Sequence, residues 1–298
     1  MSERRAVVLV SHGTVSDLDD LAAFVASVRH GRPAPPELIA ELRRRYEAIG
    51  GQSPLNAINA RLAARLGAVL GLPVRLANRL WRPFTREVLA ELGKDGVDRV
   101  AVVPLAQHSA RVYADDAAKG AEGTGVTLAC AADWGQSAAL CAAFVKRIRK
   151  SLEGLDVPST TVLMTAHSLP TAIVRAGDAY EREVRAAAAT IAGGIGPVDW
   201  TVAFQSQGMG SKPGEWLGPD LPTALDEARA RGYRTVVLAP IGFLADHVEI
   251  LYDLDIEAAA LAHERGLQTE RVASLNDDDD LVEAIAEVAR PLLALGHA

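Results

Sequence analysis

Residues 86–108 read REVLAELGKDGVDRVAVVPLAQH, and residues 222–247 read PTALDEARARGYRTVVLAPIGFLADH. Each stretch opens with apolar residues at helical spacing and turns at a glycine (Gly96, Gly232). Each then runs into a β-branched strand ending in proline (Pro104, Pro240), with a histidine shortly after (His108, His247). Unbroken apolar runs of this kind belong to strands covered on both faces. Helix, tight turn and buried strand are the unit of parallel α/β architecture. Two copies predict a duplicated half-domain.

Working outward, the first half starts with a strand ending in Ser11-His12-Gly13-Thr14, and the second with one ending in Ala166-His167-Ser168-Leu169. Strands are expected at 6–11, 73–78, 99–105, 126–130, 160–166, 200–204 and 235–240. Helices are expected at 36–48, 56–70, 84–94, 136–153, 177–193 and 221–231. The boundary is expected near 153–159, giving halves 1–154 and 155–298. Open α/β sheets hold ligands beyond the carboxyl ends of their strands, where His12, His108, His167 and His247 all fall. Asn276 and four aspartates precede LVEAIAEVARPLLAL. Acids in a first helical turn complement the macrodipole, so this run reads as a helix start rather than a calcium site.

Composition narrows the function. The chain has 298 residues, 49% hydrophobic and 23% charged, and a mean hydropathy of +0.10, as in soluble globular proteins with a sizeable core. A net charge of −7 argues against nucleic-acid binding through a basic surface. Two cysteines, Cys130 and Cys141, supply neither a disulfide framework nor the four thiolates of an all-cysteine iron–sulfur cluster. The apolar run Ala6 to Val10 is too short for a signal-peptide core, and no stretch of 18 apolar residues occurs. A cytoplasmic protein is expected.

Common motifs are absent. No GxGxxG joins a strand to a helix, residues 208–212 lack P-loop spacing, and no GxSxG elbow occurs. His167 and Ser168 are adjacent, so in a strand they point to opposite faces and make a poor pair. What remains is an acidic line. Asp246, Glu249, Asp253 and Glu257, spaced 3, 4 and 4, share one face of a helix starting near 246. No lysine or arginine occurs between 235 and 264, and the line reads either as a solvated face or as a cation path. His167 reads either as a packed strand-end histidine or as a catalytic one. Imidazole and carboxylate together suit a dication such as Fe2+.

Several strings together resemble the ferrochelatase family. They are SHGT (11–14), VRHGRPAPPEL (28–38), RRRYEAIGGQSPL (43–55), TAHSLP (165–170), GDAY (177–180), FQSQGMGSKPGEWLGPD (204–220) and PIGFLADHVEILYDLDIE (240–257). The resemblance implies a chelatase-like fold, two Rossmann-like halves around a porphyrin cleft, and insertion of Fe2+ into a porphyrin. It assigns His167 to proton removal or iron ligation and Glu249 to the partner carboxylate. Asp253 and Glu257 become an acidic path for metal or protons. Trp216 and Ser206, beside Gln205, match pocket residues, and Arg29, Arg32 and Arg45 are candidates for propionate or outer metal-site contacts. His12 stands where short bacterial relatives usually carry a tyrosine, and is a candidate metal ligand. GDAY replaces the family's GDPY.

The stretch after Thr14, VSDLDDLAAFVASVRHGRPAPP, carries acids and arginines where membrane-associated relatives have an apolar lip. This points to the soluble type that uses coproporphyrin III, with protoporphyrin IX as the alternative. Fe2+ is then a substrate, no cofactor or iron–sulfur cluster is tightly bound, and a monomer is expected. Two competing readings are a cobalt or nickel chelatase for a corrinoid precursor and a non-catalytic tetrapyrrole carrier.

Overall fold

The β-branched runs become strands because their side chains are buried on both faces: Ala6 to Val10, for example, are wholly inaccessible. The computed structural model describes residues 3–207 and 214–294. Its strands are β1 (Arg5–Ser11), β2 (Val74–Asn78), β3 (Arg99–Pro104), β4 (Thr127–Cys130), β5 (Thr160–His167), β6 (Asp199–Gln205), β7 (Thr235–Ala239) and β8 (Gln268–Arg271). They form two parallel four-stranded sheets, ordered β2-β1-β3-β4 and β6-β5-β7-β8. Each sheet sets its second strand on one side of its first and its third on the other, so one topology is used twice. The glycine-rich residues 208–212 lie outside the described residues.

The two quoted stretches fold alike. Helix Thr85–Lys94 is capped by the Glu87 carboxylate, which accepts from Phe84 N–H at 2.9 Å. Helix Leu221–Ala230 is capped by Asp220, which accepts from Thr223 N–H at 2.9 Å. Both chains then reverse at a glycine with positive φ, Gly96 at 74° and Gly232 at 88°. Behind them, Val88, Leu89 and Leu92 pack on β1 and β3, and Leu221, Leu225 and Ala228 pack on β5, β6 and β7.

Two expectations for single elements need correction. The strand β8 is additional: Gln-Thr-Glu-Arg is short, polar and half-exposed on a sheet edge, and so has no hydrophobic signature. The helix expected from 246 starts at Val248 instead, with His247 extended at its cap. After one turn it widens into a π-helix over Asp253–Ala258.

The chain divides into two compact units whose limits differ from a cut at 154. One comprises the described residues up to Ala139 together with those from Asn276 onward, and the other is Leu140–Leu275. Helix Ala138–Leu152 belongs almost wholly to the second unit, where Gly194 lets Val145 approach closely; a Cβ on Gly194 would sit 2.7 Å from Val145 Cγ2. Helix Asp279–Ala294 packs on β3, β4 and helix Leu55–Leu70 of the first unit. Arg61 and Arg65 hold its approach through Asp277 and Asp279.

The aspartate run does open that last helix, with Asp279 and Asp280 in its first turn. Cys130 and Cys141 are free thiols, both pushed up in pKa by burial. Among the described residues no helix is long and apolar enough to cross a membrane.

Candidate active site

In the second unit, β5 is flanked by β6 on one side and β7 on the other. The connections leaving β5 and β7 therefore part at a topological switch point, where open α/β sheets expose the carboxyl ends of their strands to ligands. His167 ends β5. The connection after β7 stays close to it because Gly242 has no side chain. Its N–H donates to Thr165 O at 2.9 Å, and a Cβ there would lie 2.6 Å from Ala166 Cα. This connection delivers Glu249, whose Oε2 lies 3.0 Å from His167 Nδ1 and 3.9 Å from His247 Nε2.

Neighbouring side chains fix the pair in place. Tyr180 Oη donates to His167 O at 2.9 Å, and Gln205 Nε2 donates to Glu249 O at 2.7 Å. Gln205 lies directly across from His167 in the β5–β6 ladder. Ser206, held at a φ of 60°, donates its hydroxyl to Asp253 Oδ2 at 2.5 Å. Trp216 is half-buried and is tied to the loop after His167 by a short antiparallel bridge to Pro170. Bonds from Thr171 N to Glu215 O and from Leu217 N to Leu169 O, both 2.9 Å, flank that bridge. Ser168, the poor partner for His167, donates instead to Leu217 O at 2.9 Å.

Electrostatics separates the two imidazoles. Burial pulls the His167 pKa down, but the charge and hydrogen bond of Glu249, with Asp253 adding, outweigh it and leave it above the usual histidine value. At His247 burial dominates over Glu249, and the His167 charge adds to it, so that pKa falls. His247 Nδ1, Gln205 Oε1 and Thr165 Oγ1 are buried with no hydrogen-bond partner among the described residues. Thr165 is two residues before His167, on the same face of β5.

The acidic line holds only in part. Glu249 is half-buried, Asp253 is 3% exposed, and Glu257 faces solvent. Asp246 leaves the line because it precedes the helix. It accepts from Ser274 Oγ at 2.7 Å and from Arg271 Nη1 at 3.2 Å. Arg271 also pairs through Nε with Asp255. The absence of basic residues within the segment does not reveal this cation, which arrives from β8. Among the described residues no three His, Cys, Asp or Glu side chains form a group able to hold a metal ion.

The remaining expected residues lie in the first unit. His12 follows β1, is exposed, and meets Phe24 edge-on at 6.2 Å between ring centres. Arg29 has a buried Nε with no partner among the described residues, and Arg32 Nε donates to the Arg29 carbonyl at 3.2 Å. Arg45 is engaged by Glu41 at 2.7 Å, a carboxylate that Arg44 and Arg45 together hold down to a pKa of about 2. His108 is buried against Gly135. Tyr180, Asp255, Arg271 and Ser274 join the site without having been singled out by sequence reasoning. Tyr180 lies in the GDAY string, while nothing in the spacing marks Arg271.

A family model described as Ferrochelatase matches residues 4–292. A ferrochelatase of Acidobacterium capsulatum is 35% identical over 314 residues, covering 97% of this chain and 95% of its own. A coproporphyrin III ferrochelatase of Mycobacterium marinum is 33% identical, covering 97% and 86%, and one of Bacillus subtilis is 30% identical, covering 97% and 98%. Among solved structures, SirB from Bacillus subtilis with Fe3+ has a TM-score of 0.62 at 14% identity. It covers 98% of this chain and 96% of that one, a likeness of fold.

Proposed function

The chain belongs to the ferrochelatase family, and on that premise we propose that it inserts Fe2+ into coproporphyrin III to give coproheme. The observation that carries this reading is the His167–Glu249 contact of 3.0 Å at the carboxyl end of β5, with Asp253 and Glu257 following Glu249. Insertion exchanges two pyrrole N–H protons for one dication, with no change in iron oxidation state. His167, in its neutral form, accepts a proton. Its raised pKa gives that transfer more driving force while making the neutral form scarcer near neutral pH. Glu249 steadies the imidazolium that results and offers an oxygen to the cation. Asp253 and Glu257 extend the carboxylates toward solvent for the incoming ion and the outgoing protons.

Coproporphyrin III carries four carboxylates, for which Arg29 and Arg32 are candidate partners. The segment after Thr14 forms a short turn, Leu18–Asp20, and helix Leu21–Val28, with Asp17, Asp19 and Asp20 at their start. That is a poor membrane-binding lip. The same reading takes the enzyme to be a cytoplasmic monomer with no iron–sulfur cluster.

Anaerobic steady-state insertion of Fe2+ into coproporphyrin III and protoporphyrin IX at matched concentration tests the proposal. Many turnovers with coproporphyrin and few with protoporphyrin are expected. Preference for protoporphyrin overturns the substrate and keeps the chemistry. Tight binding without turnover on either substrate replaces the enzyme with a tetrapyrrole carrier.

A further inference from the structure

The segment from Asp246 to Glu257 is the irregular start of a helical stretch that ends with helix Ala259–Glu264. Its α-helical part, Val248–Leu251, is a single turn, too short to be stable by itself. The π-helix that follows, Asp253–Ala258, is a rare geometry found mostly as single-turn bulges. The placement of Glu249, Asp253 and Glu257 therefore depends on contacts from outside the segment. Ile250, Leu254 and Ala258 seat its apolar side in the core, and Gln205 and Ser206 hold its polar side from the end of β6.

A further grip is ionic and comes from the opposite edge of the sheet. Arg271, the last residue of β8, bonds Asp246 Oδ1 at 3.2 Å with Nη1 and pairs with Asp255 through Nε. Ser274 completes the contact by donating to Asp246 Oδ1 at 2.7 Å. Asp246 immediately precedes the His247 cap, and Asp255 stands inside the π-helix between Asp253 and Glu257. One guanidinium thus ties the two ends of the segment together. It also engages two carboxylates, offsetting one of their charges, in a region that carries five: Asp246, Glu249, Asp253, Asp255 and Glu257.

We infer that Arg271 is a positioning residue for metal insertion: it fixes the segment that carries Glu249, Asp253 and Glu257, and it withholds Asp246 and Asp255 from the incoming cation. Both effects act on the chemical step. Without Arg271 only Gln205 and Ser206 hold the polar side of the segment, so the three carboxylates are less well aligned, and the two released ones compete for the ion. A cation held by surplus carboxylates is transferred slowly even when it is bound well. Lysine carries the charge without a fork that can bridge two carboxylates, so it replaces arginine only in part.

The inference rests on the ferrochelatase reading, and wild-type turnover in the same assay separates the two. If the wild-type protein does not insert Fe2+, the functional reading fails whatever Arg271 does. With wild-type turnover established, Arg271→Ala is expected to lower kcat for Fe2+ insertion into coproporphyrin III by about ten-fold or more, the scale seen when support for a metal-handling group is removed. KM and Kd for the porphyrin, the latter from fluorescence quenching, should stay within about two-fold, as expected when only the chemical step is affected. Arg271→Lys should fall several-fold short of wild type, and serves alone if the alanine variant does not fold. Adding Asp255→Asn to Arg271→Ala should recover part of the lost kcat, since it removes a released carboxylate; a purely structural role makes the two changes add. Wild-type kcat in folded Arg271→Ala or in Arg271→Lys, or additive losses in the double variant, overturns the inference.

Discussion

Glu249 stands between two imidazoles, 3.0 Å from His167 and 3.9 Å from His247. Its charge raises the pKa of the nearer ring above the usual value of 6.5, while burial lowers that of the farther one. Divergent pKa values in neighbouring groups are how a site assigns acid and base roles. If neutral His167 takes the pyrrole proton, kcat/KM should rise with pH through its raised pKa. In Glu249→Gln the rate falls and this acid limb should move to lower pH; an unmoved limb would show that another group sets it. The linked stability has a definite sign. A raised folded pKa stabilises the protein below the unfolded value of 6.5, and that contribution disappears as pH climbs through the folded pKa. The Tm gap between wild type and Glu249→Gln should therefore be widest below pH 6.5 and narrow as pH rises through the raised folded pKa. His167 and Glu249 can be singled out in the sequence because His167 closes a strand and Glu249 follows one, each within a specific string. The role of Ser206 is not, because a backbone at φ 60° that turns its hydroxyl toward Asp253 leaves no trace in residue order.

At the scale of elements, the spacing 249, 253, 257 suggests an α-helical face, and the structure reaches an acidic row by a different route. Four residues overshoot an α-helical turn of 3.6, whereas in a π-helix, bonded i to i+5, four residues fall short of a turn. One α-turn followed by a π-helix therefore offsets the two errors along the row. Deleting Ile256, which is 39% exposed, should convert the π-helix to α without disturbing helix Ala259–Glu264, because a π-bulge accommodates one extra residue locally. The expected variant keeps its Tm within a few degrees and loses about ten-fold or more in kcat as Glu257 shifts, since small misplacements of working groups are costly. Unchanged kcat would mean that the π geometry has no part in the reaction. The strands are easier to read. Long buried runs such as β1, β3 and β5 carry their own signal, whereas β8 forms only because β7 offers an edge to pair with.

The duplicated topology of the whole molecule is visible in two stretches of sequence, but the ownership of its terminal helix is not. Local periodicity marks Asp279–Ala294 as amphipathic and says nothing of which sheet it covers. The structure gives it to the first unit, with Leu281, Val282, Ile285 and Leu293 buried. Each such side chain contributes roughly 1.5–3 kcal/mol by leaving water. The four together supply roughly 6–12 kcal/mol, an upper estimate because the unfolded chain is itself partly compact. That is comparable to the entire stability of a typical domain, about 5–15 kcal/mol. A chain ending at Leu275 should thus lose the first unit, since β3 and β4 are left with an uncovered apolar face. The second unit keeps every residue of Leu140–Leu275. Limited proteolysis of the truncated chain should degrade residues before Ala139 and leave a resistant fragment beginning near Leu140. A truncated protein that resists proteolysis throughout and melts like the full chain would show that the helix merely rests on a sheet already stable without it.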